Sequence, residues 1–407
     1  MAKTIWYISK YCNLPTENSV GSRGWILMRE FAAKGYNSKV ITSNVKSINL
    51  INKNLKFKNF FLEGVEVILL KTLKFSVAKS ILRVFSWFDF EFNLFFLDKS
   101  SLKKPDVIII SSLSLLTILN GINLKNKFKC KLVFEIRDIW PLTLVEEGGF
   151  SKRNPFIMLL ALIERIGYKR SDLIVGTMPN LAKHVKKILG YDKFVGCIPM
   201  GVEPNMLTHN KDNIPEYLKL HIKPGYFNVV FAGSIGITNA LDTFFKAAEV
   251  LKNSSKIRFI VVGDGDLKNQ YLKRYGHLEN LTYFPKVAKN QVQSFLTYAD
   301  VVYFSVFKSK VWDYGQSLNK IIDYMISKKP IIASFSGYKS MIDEAGCGYF
   351  IPAEDHHSLV DKIKEMSLMD ETERKIMGER GLKWLLKNRS YQKLAENYLN
   401  LIFDNKS

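Results

Sequence analysis

Two stretches of this 407-residue chain gather polar side chains at the ends of apolar runs. In FEIRDIWPLTLVEEGGF (134–150) a strand-like run stops on Arg137-Asp138. Such an end is either a strand meeting water or two groups delivered to a ligand, since open α/β sheets bind ligands beyond the carboxyl ends of their strands. In YGQSLNKIIDYMISKKPIIAS (314–334), Ser317, Asn319, Lys320 and Asp323 precede a Lys-Pro turn into an apolar strand. A helix starting near Ser317 sets Asn319 and Asp323 four apart on one face, with Lys320 beside them. Its N-terminal amides and the lysine suit a diphosphate, and a carboxylate one turn deeper suits ribose hydroxyls. The alternative is a capped amphipathic helix with a solvated lysine and aspartate.

Glycine turns supply further candidates. Gly21-Ser22-Arg23-Gly24 lies between a first strand and the helix pattern ILMREFAAKGY, where backbone amides and Arg23 can meet an anion. Gly233 and Ser234 in VFAGSIG (230–236) repeat that arrangement, as do Gly263 and Gly265 in VVGDGDL (261–267). Asp264 and Asp266 form a DxD, a pattern that can hold a metal-bound diphosphate. A GDG after a buried strand is also a common tight turn, and no histidine or further carboxylate cluster accompanies it, so no metal site is expected. The six histidines, His184, His209, His221, His277, His356 and His357, show no catalytic partner in sequence. Each is expected to be solvated or satisfied in a core.

The elements that must position these groups alternate strand and helix patterns, the signature of βαβ units on a parallel sheet. TIWYIS, SKVITS, VEVILL, DVIIIS, KLVFEI, DLIVGT and FVGCIP are the strand candidates of the first half. After the polar, two-proline stretch THNKDNIPEYLKLHIKPGY (208–226), the alternation restarts with FNVVFAGS, IRFIVVGDG, LTYFPKV, DVVYFSV, KPIIASF and GYFIP. The expected organisation is a Rossmann-like domain over 1–204, a linker over 205–226, a second Rossmann-like domain over 227–385 and a C-terminal helix over 386–407, able to pack on either half. A chain of this length is too long for one ordinary core.

Four cysteines, Cys12, Cys130, Cys197 and Cys347, stand far apart without a CxxC, as expected of reduced cytosolic thiols rather than a disulfide frame or zinc site. MAKTIWYIS reads as a strand, not a signal peptide. VIIISSLSLLTILNGINL (107–124) reaches the length of a membrane span, but its Ser, Thr, Asn and Gly favour a strand followed by a short helix. The formal net charge is +21, and residues 1–200 carry 31 Lys and Arg against 15 Asp and Glu. That basic half expects an acidic partner: nucleic acid, anionic lipid or a phosphorylated substrate.

Taken in order, EIRDIWP, YKRSDLIVGTMPNLAKHV, CIPMGVE, FAGSIG, VVGDGDLK and SLNKIIDYMISKKPIIAS resemble the retaining GT-B glycosyltransferases of family 4 across nearly the whole chain. The EIRDIWP form, with its N-K-x-x-D-Y segment, is most similar to bacterial O-antigen and capsule enzymes, including L-fucosamine transferases. The resemblance implies an α/β GT-B fold, two Rossmann-like domains facing across a cleft, with the last helix crossing back to the first domain. It also implies a nucleotide-sugar donor, UDP favoured, and no metal or other cofactor. Asp323 matches the second glutamate of the family's donor-site pair and would bind the ribose. Gly315 stands where the first would be, leaving Ser317 or Asn319 to substitute. GSIGITNALD lacks the family's Arg and Lys after the second-domain glycine turn, so Lys320 is the main diphosphate cation, ahead of Lys286 and Lys289. Arg137-Asp138 replaces the common His-Asp pair. Asp138 would position sugar or acceptor, while Arg23, Lys320 and helix amides stabilise the leaving diphosphate.

Residues 73–104 mix Phe and Trp with Lys and Arg, a composition suited either to a lipid interface or to an aromatic helix pair inside the first domain. On the first alternative the protein sits peripherally on the inner face of the cytoplasmic membrane, and its acceptor is a polyprenyl-diphosphate-linked sugar. Nucleic acid is not the expected partner, because no recognition-helix or RNA-binding signature accompanies the dispersed lysines. A UDP-sugar 2-epimerase, which can share the fold, needs an acid/base pair the sequence does not offer. An inert sugar-nucleotide binder is the remaining alternative.

Overall fold

The computed structural model describes residues 2–16, 21–44, 55–73, 81–112, 114–207 and 225–404. It divides into two compact units, Met1–Pro199 with Tyr391–Ser407, and Met200–Ser390. In the first, β1 (Thr4–Ile8), β2 (Asn37–Ser43), β3 (Phe57–Leu62), β4 (Val65–Leu70), β5 (Val107–Ser111), β6 (Lys131–Ile136), β7 (Leu173–Gly176) and β8 (Val195–Cys197) form one sheet. Its order is β3-β4-β2-β1-β5-β6-β7-β8, parallel except for β3 against β4. Its helices are α1 (Arg23–Ala33), α2 (Ile81–Phe96), α3 (Thr117–Phe128), α4 (Leu142–Glu146), α5 (Pro155–Arg170) and α6 (Leu181–Leu189).

The second unit stacks β9 (Phe227–Ala232), β10 (Ile257–Val262), β11 (Leu281–Phe284), β12 (Val301–Ser305), β13 (Ile331–Ser334) and β14 (Gly348–Ile351) in the all-parallel order β11-β10-β9-β12-β13-β14. Helices α7 (Asp242–Val250), α8 (Lys268–Tyr275), α9 (Val292–Leu296), α10 (Asn319–Ile326), α11 (Ile342–Ala345), α12 (His356–Leu368) and α13 (Glu371–Arg389) belong with it, and α14 (Tyr391–Phe403) returns to the first unit. Both units are Rossmann-like, as the alternation of patterns requires. Parallel strands are covered on both faces and so become continuous apolar runs; TIWYI and VIIIS are buried at every position. FKNFFL, the antiparallel edge strand β3, is mostly exposed and has no such run. In each sheet the chain order reverses beside a central strand, between β1 and β5 and between β9 and β12, which marks the carboxyl ends there as ligand positions.

The first unit is knotted by a buried ion pair. Arg23 Nη1 meets Glu135 Oε2 at 2.5 Å with both side chains fully covered. Arg23 also donates to Ile198 O (2.6 Å) and Pro199 O (3.2 Å), and Tyr7 Oη donates to Glu135 Oε1 at 2.9 Å. The pair joins β1, α1, β6 and the end of β8. Although desolvation opposes ionisation of Glu135, the Arg23 and Arg137 charges hold its carboxyl below the usual range. This corrects the expectation that Arg23 stabilises a diphosphate, because its side chain is fully covered and bonded to Glu135 and two carbonyls inside the core. Gly21 and Ser22 stay partly exposed before α1, and a Cβ on Gly21, at φ +88°, would meet the Trp25 ring at 2.8 Å. Ser22 precedes α1 and points its hydroxyl at Cys12 Sγ, 3.6 Å away.

The unit boundaries fall elsewhere than expected. Val202 N–H donates to Arg389 O (2.8 Å) and Met200 N–H to Ser317 Oγ (2.8 Å), so residues from Met200 onward pack with the second unit, not the first. Residues 386–389 complete α13; extended backbone at Ser390 then separates it from α14. That last helix packs on α1 through Phe31 and Tyr398, rings 5.8 Å apart, and Lys131 Nζ donates to Ile402 O at 2.5 Å. Most of the expected linker, 208–224, lies outside the described residues. The stretch 107–124 is β5 followed by the start of α3, and among the described residues no helix is long and apolar enough to cross a membrane. His184 is buried in the core, its Nε2 2.7 Å from Glu164 Oε1.

Removing one member of a buried pair strands the other's charge, so Arg23→Met is expected to cost about 3–5 kcal/mol. Adding Glu135→Leu should recover part of that loss. Urea midpoints of the two variants check this, and an unchanged midpoint for Arg23→Met contradicts it.

Candidate functional site

The second unit's site is built on two interlocked glycine turns. Beyond β9 and its neighbour β10, Gly233 N–H donates to Val262 O (2.9 Å), Ile235 N–H to Asp264 O (2.9 Å) and Leu267 N–H to Ile235 O (3.1 Å). A Cβ on Gly263 would stand 1.8 Å from Gly233 O, and one on Gly265 2.4 Å from Ile235 O. No side chain fits at either place, and the result is a bare backbone floor. The acidic pair here belongs to the turn: Asp264 Oδ1 accepts from Gly265 N–H at 2.9 Å, and Asp266 is exposed.

Tyr324 fixes α10 to this floor. Its hydroxyl accepts from Ala232 N–H (3.1 Å) and donates to Ala232 O (3.2 Å), at the last residue of β9. The helix begins at Asn319, after Leu318 in extended conformation, rather than at Ser317, whose hydroxyl instead accepts from Met200. Lys320, in the first turn, lies over the Phe231 ring at 4.3 Å and donates to Asn239 Oδ1 at 2.5 Å. A Cβ on Gly233 would come within 3.0 Å of Lys320 Nζ, so the glycine makes room for the ammonium. Asn239 is braced in turn, donating to Ser234 O (2.8 Å) and accepting on its own carbonyl from Ser305 Oγ (2.6 Å) at the end of β12. Gly233, Ser234, Asn239 and Lys320 therefore meet at the switch point between β9 and β12. Asn239 was not singled out in the sequence; its signal was a polar side chain seven residues into the loop that lacked the expected cations.

Burial pushes the Lys320 ammonium down to about 7. Among the described residues no carboxylate pairs with it, and one neutral amide oxygen serves its three donor hydrogens. Asp323, one turn further, is half-buried; desolvation raises its carboxyl to about 6, with the Lys289 charge pulling the other way. Lys289 thus sits close enough to matter, while Lys286 is exposed on the loop after β11, and Asn319 is exposed at the helix start.

The loop before α10 holds one more group. Gly315 adopts φ +95° and ψ −178°, a conformation closed to a glutamate without strain. The next residue, Gln316, is 2% exposed, and among the described residues neither of its amide atoms has a hydrogen-bond partner. A buried amide left this way costs free energy unless a ligand satisfies it.

In the first unit, Ser112 and Thr177 strap the end of β6. Arg137 N–H donates to Ser112 Oγ (2.9 Å), and the hydroxyls of Ser112 and Thr177 donate to Asp138 O and Arg137 O, both at 3.4 Å. The Asp138 side chain keeps open surface, yet the protein around it displaces water and raises its carboxyl, against the pull of Arg137. Glu147, just past α4, is raised by desolvation and then by the Asp138 charge. Two carboxylates and a guanidinium share this loop, and Glu147 is the member that the sequence had not singled out.

Residues 226–368 match the family model described as Glycosyl transferases group 1, so the second unit carries a domain of that kind. Over 301 residues the chain is 22% identical to "Probable glycosyltransferase WbjE" of Pseudomonas aeruginosa, covering 72% of this chain and 73% of that one. Sucrose-phosphate synthase from Thermosynechococcus elongatus superposes with a TM-score of 0.71 at 13% identity, covering 98% of both chains. Anabaena HepE, solved in complex with UDP and glucose, gives 0.65 at 11% identity, again covering 98% of both. The fold is that of the GT-B structures.

An anion bound at Gly233 would raise the Lys320 pKa from its depressed value. Affinity for pyrophosphate should then be full below pH 7 and decline as pH rises, with binding at about pH 8 taking up close to one proton. Calorimetry in buffers of different ionisation enthalpy measures that uptake, and its absence would remove Lys320 from the anion site.

Proposed function

We propose that the protein is a retaining glycosyltransferase of family 4 that moves a sugar from a UDP-linked donor to a polyprenyl-diphosphate-linked saccharide. The observation that carries this reading is Lys320, a half-buried ammonium without a counter-charge among the described residues, beside a bare glycine floor at a switch point. Such a place is short of one anion, and a nucleoside diphosphate supplies it. The helix dipole of α10 adds to the attraction, and Asp323 one turn deeper holds the ribose hydroxyls. HepE, with the same fold, was solved with UDP and glucose. The likeness to WbjE favours polysaccharide synthesis. O-antigen or capsule is the product that the EIRDIWP resemblance suggests, with an N-acetylated deoxyhexosamine as the sugar and the inner face of the cytoplasmic membrane as the place.

In this reading the donor's bond from anomeric carbon to phosphate oxygen breaks as the acceptor hydroxyl bonds that carbon on the same face. The acceptor's proton passes to the departing phosphate oxygen, so no enzymatic nucleophile is needed. Lys320 and the amides at the glycine floor and helix start stabilise the diphosphate charge without a metal. Arg137, Asp138 and Glu147 position the sugar or acceptor. Gln316 supplies the sugar contact that Gly315 cannot.

A thermal-shift panel of UDP, GDP, ADP and CMP, with and without EDTA, tests the donor. A ligand at 100 times its dissociation constant adds about 2.7 kcal/mol, a visible shift. UDP alone should stabilise, and EDTA should leave the shift unchanged; a shift lost with EDTA would turn attention to Asp264 and Asp266. Asp323→Ala should abolish UDP binding with the fold intact. Gln316→Leu should leave UDP affinity unchanged while lowering kcat/KM for the UDP-sugar about tenfold or more, the scale of one lost polar contact. Equal kcat/KM in that variant would rule out a sugar contact.

A further inference from the structure

Helix α2 is apolar on both sides. Trp87, Phe90 and Leu94 face inward and are buried, yet Phe85, Phe88, Phe92, Phe95 and Phe96 are 50–66% exposed on the opposite side. Their spacing of three and four residues makes them one stripe. Phe96 packs against Phe92 and Phe95, ring centroids 4.5 and 5.1 Å apart, so the stripe is a cluster and not scattered side chains. The neighbouring helices continue it. On α3, Leu119 is 44% exposed, and on α5, beyond α3, Met158, Leu159 and Leu162 are 45–60% exposed. Between α2 and α3 runs a groove of about 660 Å³, walled by Phe88, Phe92, Phe95 and Leu119, with Asp89 and Glu91 also on its lining. A helix with apolar side chains on both its inner and its outer face needs more than its own core to cover them, and an exposed patch of this extent marks an interaction surface.

Charge says what that surface meets. Exposed cations stand at the ends of α3 and α5 and along α5: Lys127 in the last turn of α3 and Lys129 just past it, Lys152 and Arg153 just before α5, and Arg165, Lys169 and Arg170 on it. Aromatic rings bordered by lysine and arginine are the composition of a surface that lies in the interface of an anionic leaflet. At 16 residues α2 is too short to cross a bilayer, so it would rest in the interface plane.

We propose that the α2–α3–α5 face docks on an anionic membrane leaflet, the phenylalanines entering among the acyl chains while these cations meet lipid headgroups. This rests on the surface alone and not on the sugar-transfer reading. Of the two alternatives for residues 73–104, the inner half of α2 is a core helix and its outer half the docking face; residues 74–80 lie outside the described residues.

The test is flotation of the full chain with phosphatidylcholine vesicles, with and without phosphatidylglycerol. Wild type should float with the anionic vesicles, and less so as salt is added. The combined variant Phe88→Ser, Phe92→Ser, Phe95→Ser should lose binding by at least about tenfold, since each ring removed takes its share of apolar burial. Arg165→Glu with Lys169→Glu and Arg170→Glu should abolish the preference for anionic lipid. Unchanged melting curves show that both variants stay folded. Wild type failing to float, or the serine variant floating as wild type does, overturns the proposal. So does a concentration-dependent dimer that the serine substitutions dissolve without any lipid binding, which would give the face to a second copy of the chain. UDP affinity in the same variants should be unchanged, so a failure of the membrane surface and a failure of the donor site are read separately.

Discussion

A charge withdrawn from water, wholly or in part, must be compensated, and the two units meet that constraint in opposite ways. In the first, Arg23 is answered by Glu135, and its spare donors are taken by two carbonyls at the end of β8. The arrangement is closed, which suits a knot joining a strand, a helix and a second strand. In the second, Lys320 is set against Gly233 with a single amide oxygen, and desolvation has already brought its pKa to about 7. Charge burial of this kind is disfavoured unless something returns the lost interaction. The glycine turns, the Tyr324 clamp on Ala232 and the Asn239 brace all hold that lysine over the glycine floor, where among the described residues no carboxylate answers it.

Much of this was legible in the sequence for a physical reason. Strands covered on both faces must be apolar throughout, so TIWYI, VIIIS and FNVVFA declare themselves. Glycine turns at their ends follow from the close approach of parallel neighbours, and Gly233, Gly263 and Gly265 stand where that contact leaves no room for a Cβ. The antiparallel edge strand FKNFFL was missed because one side of it faces water and its pattern is mixed.

What the sequence concealed was partnership across long separations. Arg23 at the start of a helix has every local mark of an anion ligand; only Glu135, more than a hundred residues later, makes it structural. The same EIRD stretch that raises the question of a polar strand end thus contains both answers. Glu135 turns into the core and closes the ion pair, while Asp138 remains at the surface beside Glu147. Asn239 and Gln316 were silent for the complementary reason: amides carry no charge, and their importance lies in which hydrogen bonds they make or lack.

The central claim is that Lys320 and the glycine floor take the diphosphate of a nucleotide sugar. A crystal structure with UDP bound tests it most directly. The account predicts phosphate oxygens within hydrogen-bond reach of Lys320 Nζ and of main-chain amides at the Gly233 turn or the start of α10, with the ribose hydroxyls on Asp323. UDP bound elsewhere, or phosphates that leave Lys320 on Asn239 alone, would contradict it.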